Sequence, residues 1–206
     1  MMRKTREDCS DALRAVLARA GLPWEELLCH ATDVVLFGSR ACGMEQDDSD
    51  WDLLCIGDGP VRPRSGIDIV WVGPRTSTSS RWLGSELAAH VVAFGRPLHG
   101  ECPWMDDVTL SPQAVVRKRR RIDARMGSLD RLWESTGPAF RRKQGVLLRR
   151  EIQRAGLLAR GCPVPPASGL DAAWIVEAQC PDTWPALTHW MGIDQSARAR
   201  HLCPAA

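Results

Sequence analysis

The sequence lacks the features that mark zinc-binding, secreted and membrane-spanning proteins. Its eight cysteines are scattered over 206 residues, with no CxxC pair and no cysteine–histidine cluster at zinc-finger spacing. It contains no apolar run of about 18 residues, and its opening segment is too polar for a secretory signal peptide. We therefore expect a cytoplasmic protein with reduced thiols, without a structural zinc site and without a membrane segment.

Charge is small overall but unevenly distributed along the chain. The formal net charge is +2, yet residues 113–160 carry 14 Arg or Lys against 4 Asp or Glu, whereas residues 1–112 carry 11 basic and 17 acidic side chains. Such asymmetry suggests an acidic half that could hold metal and a basic half that could face an anion. Arginine-rich helices with solvated faces would give the same count, so both interpretations stay open.

The first half of the chain alternates helical and strand patterns. Leu13 and Leu17 are at helical spacing, and Ser10 is a plausible N-cap for a helix over residues 10–20. A turn-rich segment at residues 57–66 predicts a hairpin between two of the strands. An amphipathic helix is expected near residues 79–95, and strands are expected over residues 33–39, 49–57 and 66–73.

The second half has a helical pattern throughout. Ser111 as N-cap and Pro112 at the first helical position predict a long helix, and Gly137-Pro138 separates it from a second one. Shorter helices are expected near residues 172–178 and 184–191. One apolar stripe of the first long helix contains Val115, Ile122, Met126, Leu129 and Trp133. The second is expected to face inward with Leu148, Ile152 and Ala155. We predict an α+β protein: an N-terminal mixed sheet flanked by helices over residues 1–105, and a C-terminal helical domain over residues 106–206.

Three aspartates interrupt the apolar strand patterns. Asp50 and Asp52 are two residues apart, so in a strand they point to the same side, and Asp68 lies between Ile67 and Ile69 in the next strand. Neighbouring carboxylates repel unless a cation or a proton lies between them, and Mg²⁺ prefers such oxygen ligands. If the strands are adjacent, the three carboxylates can hold two metal ions for in-line phosphoryl transfer.

A Gly-Ser turn follows the first predicted strand. Gly38 lets the backbone approach a phosphate closely, and the N–H groups of a following helix would point at the anion. Ser39 adds a hydroxyl donor. Arg40 either contacts the phosphate or is a surface charge. Together with the metal site, this turn is typical of a nucleoside triphosphate site.

These motifs resemble a known signature. Gly38-Ser39, ten intervening residues and then Asp50-Trp51-Asp52-Leu53 are similar to the motif of the DNA polymerase β-like nucleotidyltransferase superfamily, with Asp68 as the third carboxylate. The resemblance covers about residues 30–100. It is closest to small standalone members, such as the minimal nucleotidyltransferases of toxin–antitoxin pairs and the antibiotic nucleotidyltransferases.

The resemblance implies a role for each motif residue. Gly38, Ser39 and Arg40 would bind the nucleoside triphosphate, Asp50 and Asp52 would ligate Mg²⁺, and Asp68 would join the metal site and help deprotonate the acceptor. The implied activity is Mg²⁺-dependent transfer of a nucleoside monophosphate from the triphosphate to a hydroxyl or amine of a small-molecule acceptor, releasing pyrophosphate. Two alternatives remain: transfer to a protein or tRNA, and an inactive nucleotide-binding module.

The basic half leaves the acceptor open. The arginines of residues 117–125 could bind RNA, although no aromatic residues are interleaved for base stacking. They could instead contact the triphosphate or a phosphorylated substrate, or form a solvated face. Glu151 and Glu134 are candidate bases by the resemblance, whereas an ion pair with Arg154 or Arg149 is the structural interpretation of Glu151.

Overall fold

The computed structural model describes residues 6–59, 65–132 and 135–177, and shows an α+β protein built on a four-stranded mixed sheet. The first part contains α1 (Arg6–Arg19), α2 (Trp24–His30), β1 (Ala31–Phe37), α3 (Gly38–Ala41), β2 (Trp51–Gly57), β3 (Ile67–Val72), α4 (Pro74–Ser77), α5 (Ser80–Leu83), α6 (Glu86–Phe94) and β4 (Arg96–His99). A 3₁₀ helix (Pro103–Asp107) leads to α7 (Pro112–Leu132), α8 (Pro138–Ala159) and α9 (Ala167–Glu177).

The sheet has the strand order β3-β2-β1-β4. Strand β1 pairs antiparallel with β2 and with β4, while β2 and β3 run parallel. The three predicted strands are therefore confirmed, but the predicted hairpin between β2 and β3 is wrong. Glycines and prolines indicate where a strand ends. They do not distinguish a hairpin to an antiparallel strand from a crossover connection to a parallel strand.

The two central strands divide their side chains between two apolar layers. Val34, Leu36 and Leu53 pack on one side with residues of α1 and α2. Alternate residues such as Val35 and Leu54 pack on the other side with α6 and the 3₁₀ helix. This period of two explains why both strands read as continuous apolar runs: each is covered on both faces.

Two helix boundaries differ from the predictions in this half. The first helix begins at Arg6, so Ser10 lies inside it and is not its N-cap. The helix predicted over residues 79–95 is divided into α5 and α6 at Gly84. Ser85 caps α6 by accepting a hydrogen bond from the backbone N–H of Ala88, at 3.1 Å. A serine cap supplies the acceptor that the N–H groups of a helix's first turn lack, so it marks a new helix start.

The helical half is a hairpin of α7 and α8 with α9 packed beside it. Its small core contains Ala114, Leu157, Leu158, Val164 and Leu170. Leu110 packs against both this core and the core under the sheet. The division at residue 105 stays a prediction.

Some apolar positions of the helical half do not face its core. Ile152 is 53% exposed, so the prediction that it faces inward is wrong, and Met126 in the apolar stripe of α7 is 47% exposed. The short helix expected near 172–178 begins earlier, at Ala167. Trp133, Glu134 and the helix expected over 184–191 lie outside the described residues. Within the described ranges, no helix combines the length and the apolar character needed to cross a membrane.

Candidate active site

The parallel pairing of β2 and β3 brings two of the predicted aspartates together. Asp52 and Asp68 are direct register partners across the two strands. Asp50 precedes β2 by one residue, and Asp68 is the second residue of β3. Asp52 is half-buried, whereas Asp50 and Asp68 are exposed. The three carboxylates therefore gather at one end of the sheet.

The electrostatics of Asp52 reflect this gathering. Burial and, after it, the negative charges of Asp68 and Asp50 together raise the pKa of Asp52 to about 6, while Arg40 acts in the opposite direction. Like charges that raise a carboxyl pKa are relieved by a proton or by a bound cation. The donor set is made of carboxylate oxygens, which suits Mg²⁺.

The side chains are not arranged as a finished metal site. Within the described ranges, no group of three or more His, Cys, Asp or Glu side chains has an arrangement that could hold a metal ion. The pairing of Asp52 with Asp68, and the electrostatic repulsion between Asp52 and its neighbouring carboxylates, are compatible with a cation at this edge. The assignment of Asp50, Asp52 and Asp68 as metal ligands stays a prediction.

Gly38 is shaped by its contact with Asp52. Strand β1 ends at Phe37, which pairs with Asp52, and Gly38 follows with a positive φ of 75°. A Cβ atom at Gly38 would lie 2.0 Å from Oδ2 of Asp52. Only glycine fits here, because any side chain would displace the carboxylate and would also strain the backbone. Ser39 follows in the short helix α3.

Arg40 braces the loop that precedes β2. Its Nε donates to the carbonyl oxygens of Ser49 at 3.0 Å and Asp50 at 3.2 Å, and its guanidinium lies 4.6 Å from the centre of the Trp51 ring. This arginine therefore holds Asp50 in place through the backbone and partly offsets the charge of Asp52. Contact with a phosphate stays a prediction.

A cleft of about 960 Å³ opens between the sheet edge and the helical half. Its lining includes Gly38, Ser39 and Asp52, together with residues of α6, α7, α8 and α9 and the segment 164–166. Asp50, Asp68 and Arg40 are not among its lining residues. The volume is at the upper end of the range of roughly 300–1,000 Å³ for small-molecule sites.

A buried lysine connects the two halves inside this cleft. Lys118 of α7 is only 1% exposed, and its Nζ lies 2.7 Å from Oε2 of Glu86 and 2.9 Å from Oε2 of Glu151. Arg154 and Arg121 complete the network around the same two carboxylates, at 2.9 and 3.3 Å. An ammonium group without water is stable here because two carboxylates surround it.

Glu151 is engaged as an ion-pair partner in this network. Burial acts to raise the pKa of Glu151, but the hydrogen bond and charge of Lys118, with Arg154 and Arg121, outweigh it and lower the pKa. A carboxylate with a lowered pKa is a weak base. Glu151 also does not line the cleft. The structure therefore favours the ion pair with Arg154 over a role as base.

A second ion pair joins α8 to α9. Arg150 Nε donates to Oδ1 of Asp171 at 3.0 Å, and Arg149 contacts the same carboxylate. The hydrogen bond from Arg150 lowers the pKa of Asp171. Both Arg150 and Asp171 line the cleft, so this ion pair connects α8 to α9 in the cleft wall.

His90 packs where α6 meets the segment after α8. Its ring lies against Phe37 and Phe94, and Nδ1 is 2.5 Å from the carbonyl oxygen of Val164. Burial lowers the pKa of His90, so the neutral ring donates from Nδ1 to this carbonyl. His90 therefore contributes to the packing between α6 and this segment.

Sequence reasoning missed the residues that build the cleft wall. Lys118, Glu86 and Asp171 were not singled out, although Lys118 has a detectable signal. It lies three residues after Val115 and four before Ile122, so it shares the apolar stripe of α7 rather than the solvated face of its arginine neighbours. No protein-family model matches the sequence, and a search of curated proteins finds no match either.

Proposed function

We propose that this protein is a Mg²⁺-dependent nucleotidyltransferase. It transfers a nucleoside monophosphate from a nucleoside triphosphate to a hydroxyl or amine of a small-molecule acceptor and releases pyrophosphate. The resemblance of Gly38-Ser39, Asp50, Asp52 and Asp68 to the DNA polymerase β-like superfamily underlies this proposal.

One observation carries most of the proposal: the pairing of Asp52 with Asp68 beside Gly38 at the edge of a cleft. A solvated edge strand would not require a glycine with positive φ packed against a half-buried carboxylate. A carboxyl on such a strand would be solvated and would keep its ordinary pKa, whereas burial and repulsion from neighbouring carboxylates raise the pKa of Asp52. Perturbed carboxyls in a cleft are typical of catalytic sites.

Each residue has a defined task in the proposed reaction. Asp52 and Asp68, with Asp50, hold Mg²⁺, which when bound neutralises charge that develops on the transferred phosphoryl group. Gly38 keeps the backbone close to the triphosphate, and Ser39 donates its hydroxyl to it. Asp68 accepts the proton of the acceptor, and Arg40 positions Asp50 through the carbonyls of Ser49 and Asp50. The cleft volume suits a nucleotide together with a small second substrate.

The test measures Mg²⁺-dependent nucleotide binding and turnover. Isothermal titration calorimetry with each of the four ribonucleoside triphosphates is combined with transfer of an α-³²P label to a cell extract. We expect Asp52→Asn and Asp68→Asn to lose at least about a hundredfold in label transfer, as for the removal of a key electrostatic group. Asp47→Asn, an exposed loop carboxylate, is the matched control.

The outcomes separate the candidate functions. Full turnover in Asp52→Asn and Asp68→Asn would contradict the mechanism. Label on protein or RNA instead of small molecules would overturn the small-molecule acceptor but keep the reaction. No Mg²⁺-dependent nucleotide binding by the wild type would overturn the proposed function.

A further inference from the structure

The part of the cleft wall that α7 and α8 contribute is strongly basic. Six cationic side chains from α7 and α8 line the cleft, against the lining carboxylates Asp52, Glu86 and Asp171. The six are Arg117, Lys118, Arg120, Arg121, Arg150 and Arg154. A cleft with one dominant sign of charge concentrates ligands of the opposite sign.

Four of these six cations already have carboxylate partners. Lys118 bridges Glu86 and Glu151, and Arg121 and Arg154 contact the same pair. Arg150 is paired with Asp171. The charges of these four groups are therefore partly offset by three carboxylates, Glu86, Glu151 and Asp171, although Arg121 itself is 65% exposed.

Arg117 and Arg120 differ from the other four. No carboxylate of the described residues lies within 4.0 Å of either guanidinium. The two residues are three positions apart on α7, so they are on the same face of the helix, and both line the cleft. Guanidinium groups bind phosphate through several N–H donors, and these two side chains line the same cleft without a carboxylate partner among the described residues.

The geometry points to a phosphate subsite for the acceptor, formed by Arg117 and Arg120. This inference rests on the proposed function and names the acceptor class: a small molecule that carries a phosphate group beside the hydroxyl or amine that reacts. The triphosphate tail is assigned to other elements, the β1–α3 turn and the metal ligands. A polycationic acceptor is disfavoured because Glu86, Glu151 and Asp171 are already paired.

The binding experiment uses inorganic phosphate as the probe. Phosphate is titrated into the protein alone, and then into the protein saturated with Mg²⁺ and a non-hydrolysable triphosphate analogue. We expect Arg117→Gln and Arg120→Gln to weaken phosphate binding at least about tenfold, as for the loss of a charge-assisted hydrogen bond. Affinity for the Mg²⁺–nucleotide complex should stay within about twofold of the wild type.

Arg119→Gln is the matched control. Arg119 has the same chemistry, lies on the same helix and is exposed like Arg120, but it does not line the cleft. It should bind phosphate like the wild type. Equal weakening in Arg119→Gln would show only general attraction to a basic helix and would overturn the subsite. Competition of phosphate with the nucleotide analogue, or equal loss of nucleotide affinity in Arg117→Gln and Arg120→Gln, would assign the arginines to the triphosphate and also overturn it.

A second arm tests the acceptor itself. The small-molecule fraction of a cell extract is treated with phosphatase, the phosphatase is removed, and labelled nucleoside triphosphate is then added with the wild-type protein. We expect product from the untreated fraction and at least about tenfold less from the treated one. Undiminished product would overturn the acceptor class while leaving the nucleotidyltransferase intact. Phosphate binding without any nucleotide binding would support the subsite and overturn the proposed function.

Discussion

Replacing Gly38 with alanine should disable the site through one atom. The new Cβ would lie 2.0 Å from Oδ2 of Asp52, and contacts under 3.0 Å are essentially never tolerated. The carboxylate must therefore shift by about 1 Å, and a misplacement of that size can cost roughly a hundredfold in rate. The positive φ of 75° adds about 1–2 kcal/mol of backbone strain for a residue with a side chain.

Gly43 provides the matched control, because its φ is also positive, at 67°, and a Cβ atom there would meet nothing within 4 Å. Gly43→Ala should therefore show the backbone strain without the displaced carboxylate. Urea unfolding followed by tryptophan fluorescence measures the destabilisation that the backbone strain causes. Mg²⁺-dependent label transfer from the nucleoside triphosphate measures the loss of activity that the displaced carboxylate causes. Equal activity of Gly38→Ala and Gly43→Ala would refute the reasoning.

Two predictions concern the cleft wall. Lys118→Met should lower the free energy of unfolding by about 3 kcal/mol, because Glu86 and Glu151 then face each other without the ammonium between them. Urea unfolding measures this loss. Adding Glu86→Gln and Glu151→Gln to Lys118→Met should recover much of the lost stability. A change in the free energy of unfolding below about 0.5 kcal/mol would contradict the buried ion-pair network of Lys118. Asp171→Asn should be less stable than the wild type at neutral pH. The pKa of Asp171 is lowered in the folded state, so its contribution is present above the unfolded pKa and is lost as pH falls through the folded one. The difference between the two proteins, followed by thermal unfolding, should shrink below about pH 4, with exposed Asp123→Asn as control; a difference that is independent of pH would contradict the ion pair with Arg150.

Local patterns in the sequence were enough to predict three of the four strands and to identify the candidate site residues at the edge of the sheet. The apolar runs over residues 33–39, 49–57 and 66–73 each became a strand, because burial on both faces leaves a continuous apolar signal. Gly38 was recognisable for the same kind of reason, since a glycine directly after a buried strand marks a special backbone position. These features depend on near neighbours along the chain.

Pairings between distant residues were decided only by the tertiary structure. Turn residues could not show that β2 and β3 run parallel, which is what sets Asp68 beside Asp52. Periodicity also misplaced Ile152, whose side chain lies at the surface of the helical hairpin. It did not reveal that Lys118 is buried between Glu86 and Glu151 while Arg119 next to it is exposed. Strand direction, ion pairing and the burial of single positions such as Ile152 and Lys118 depend on which elements pack together, and an element's own sequence does not identify its neighbours.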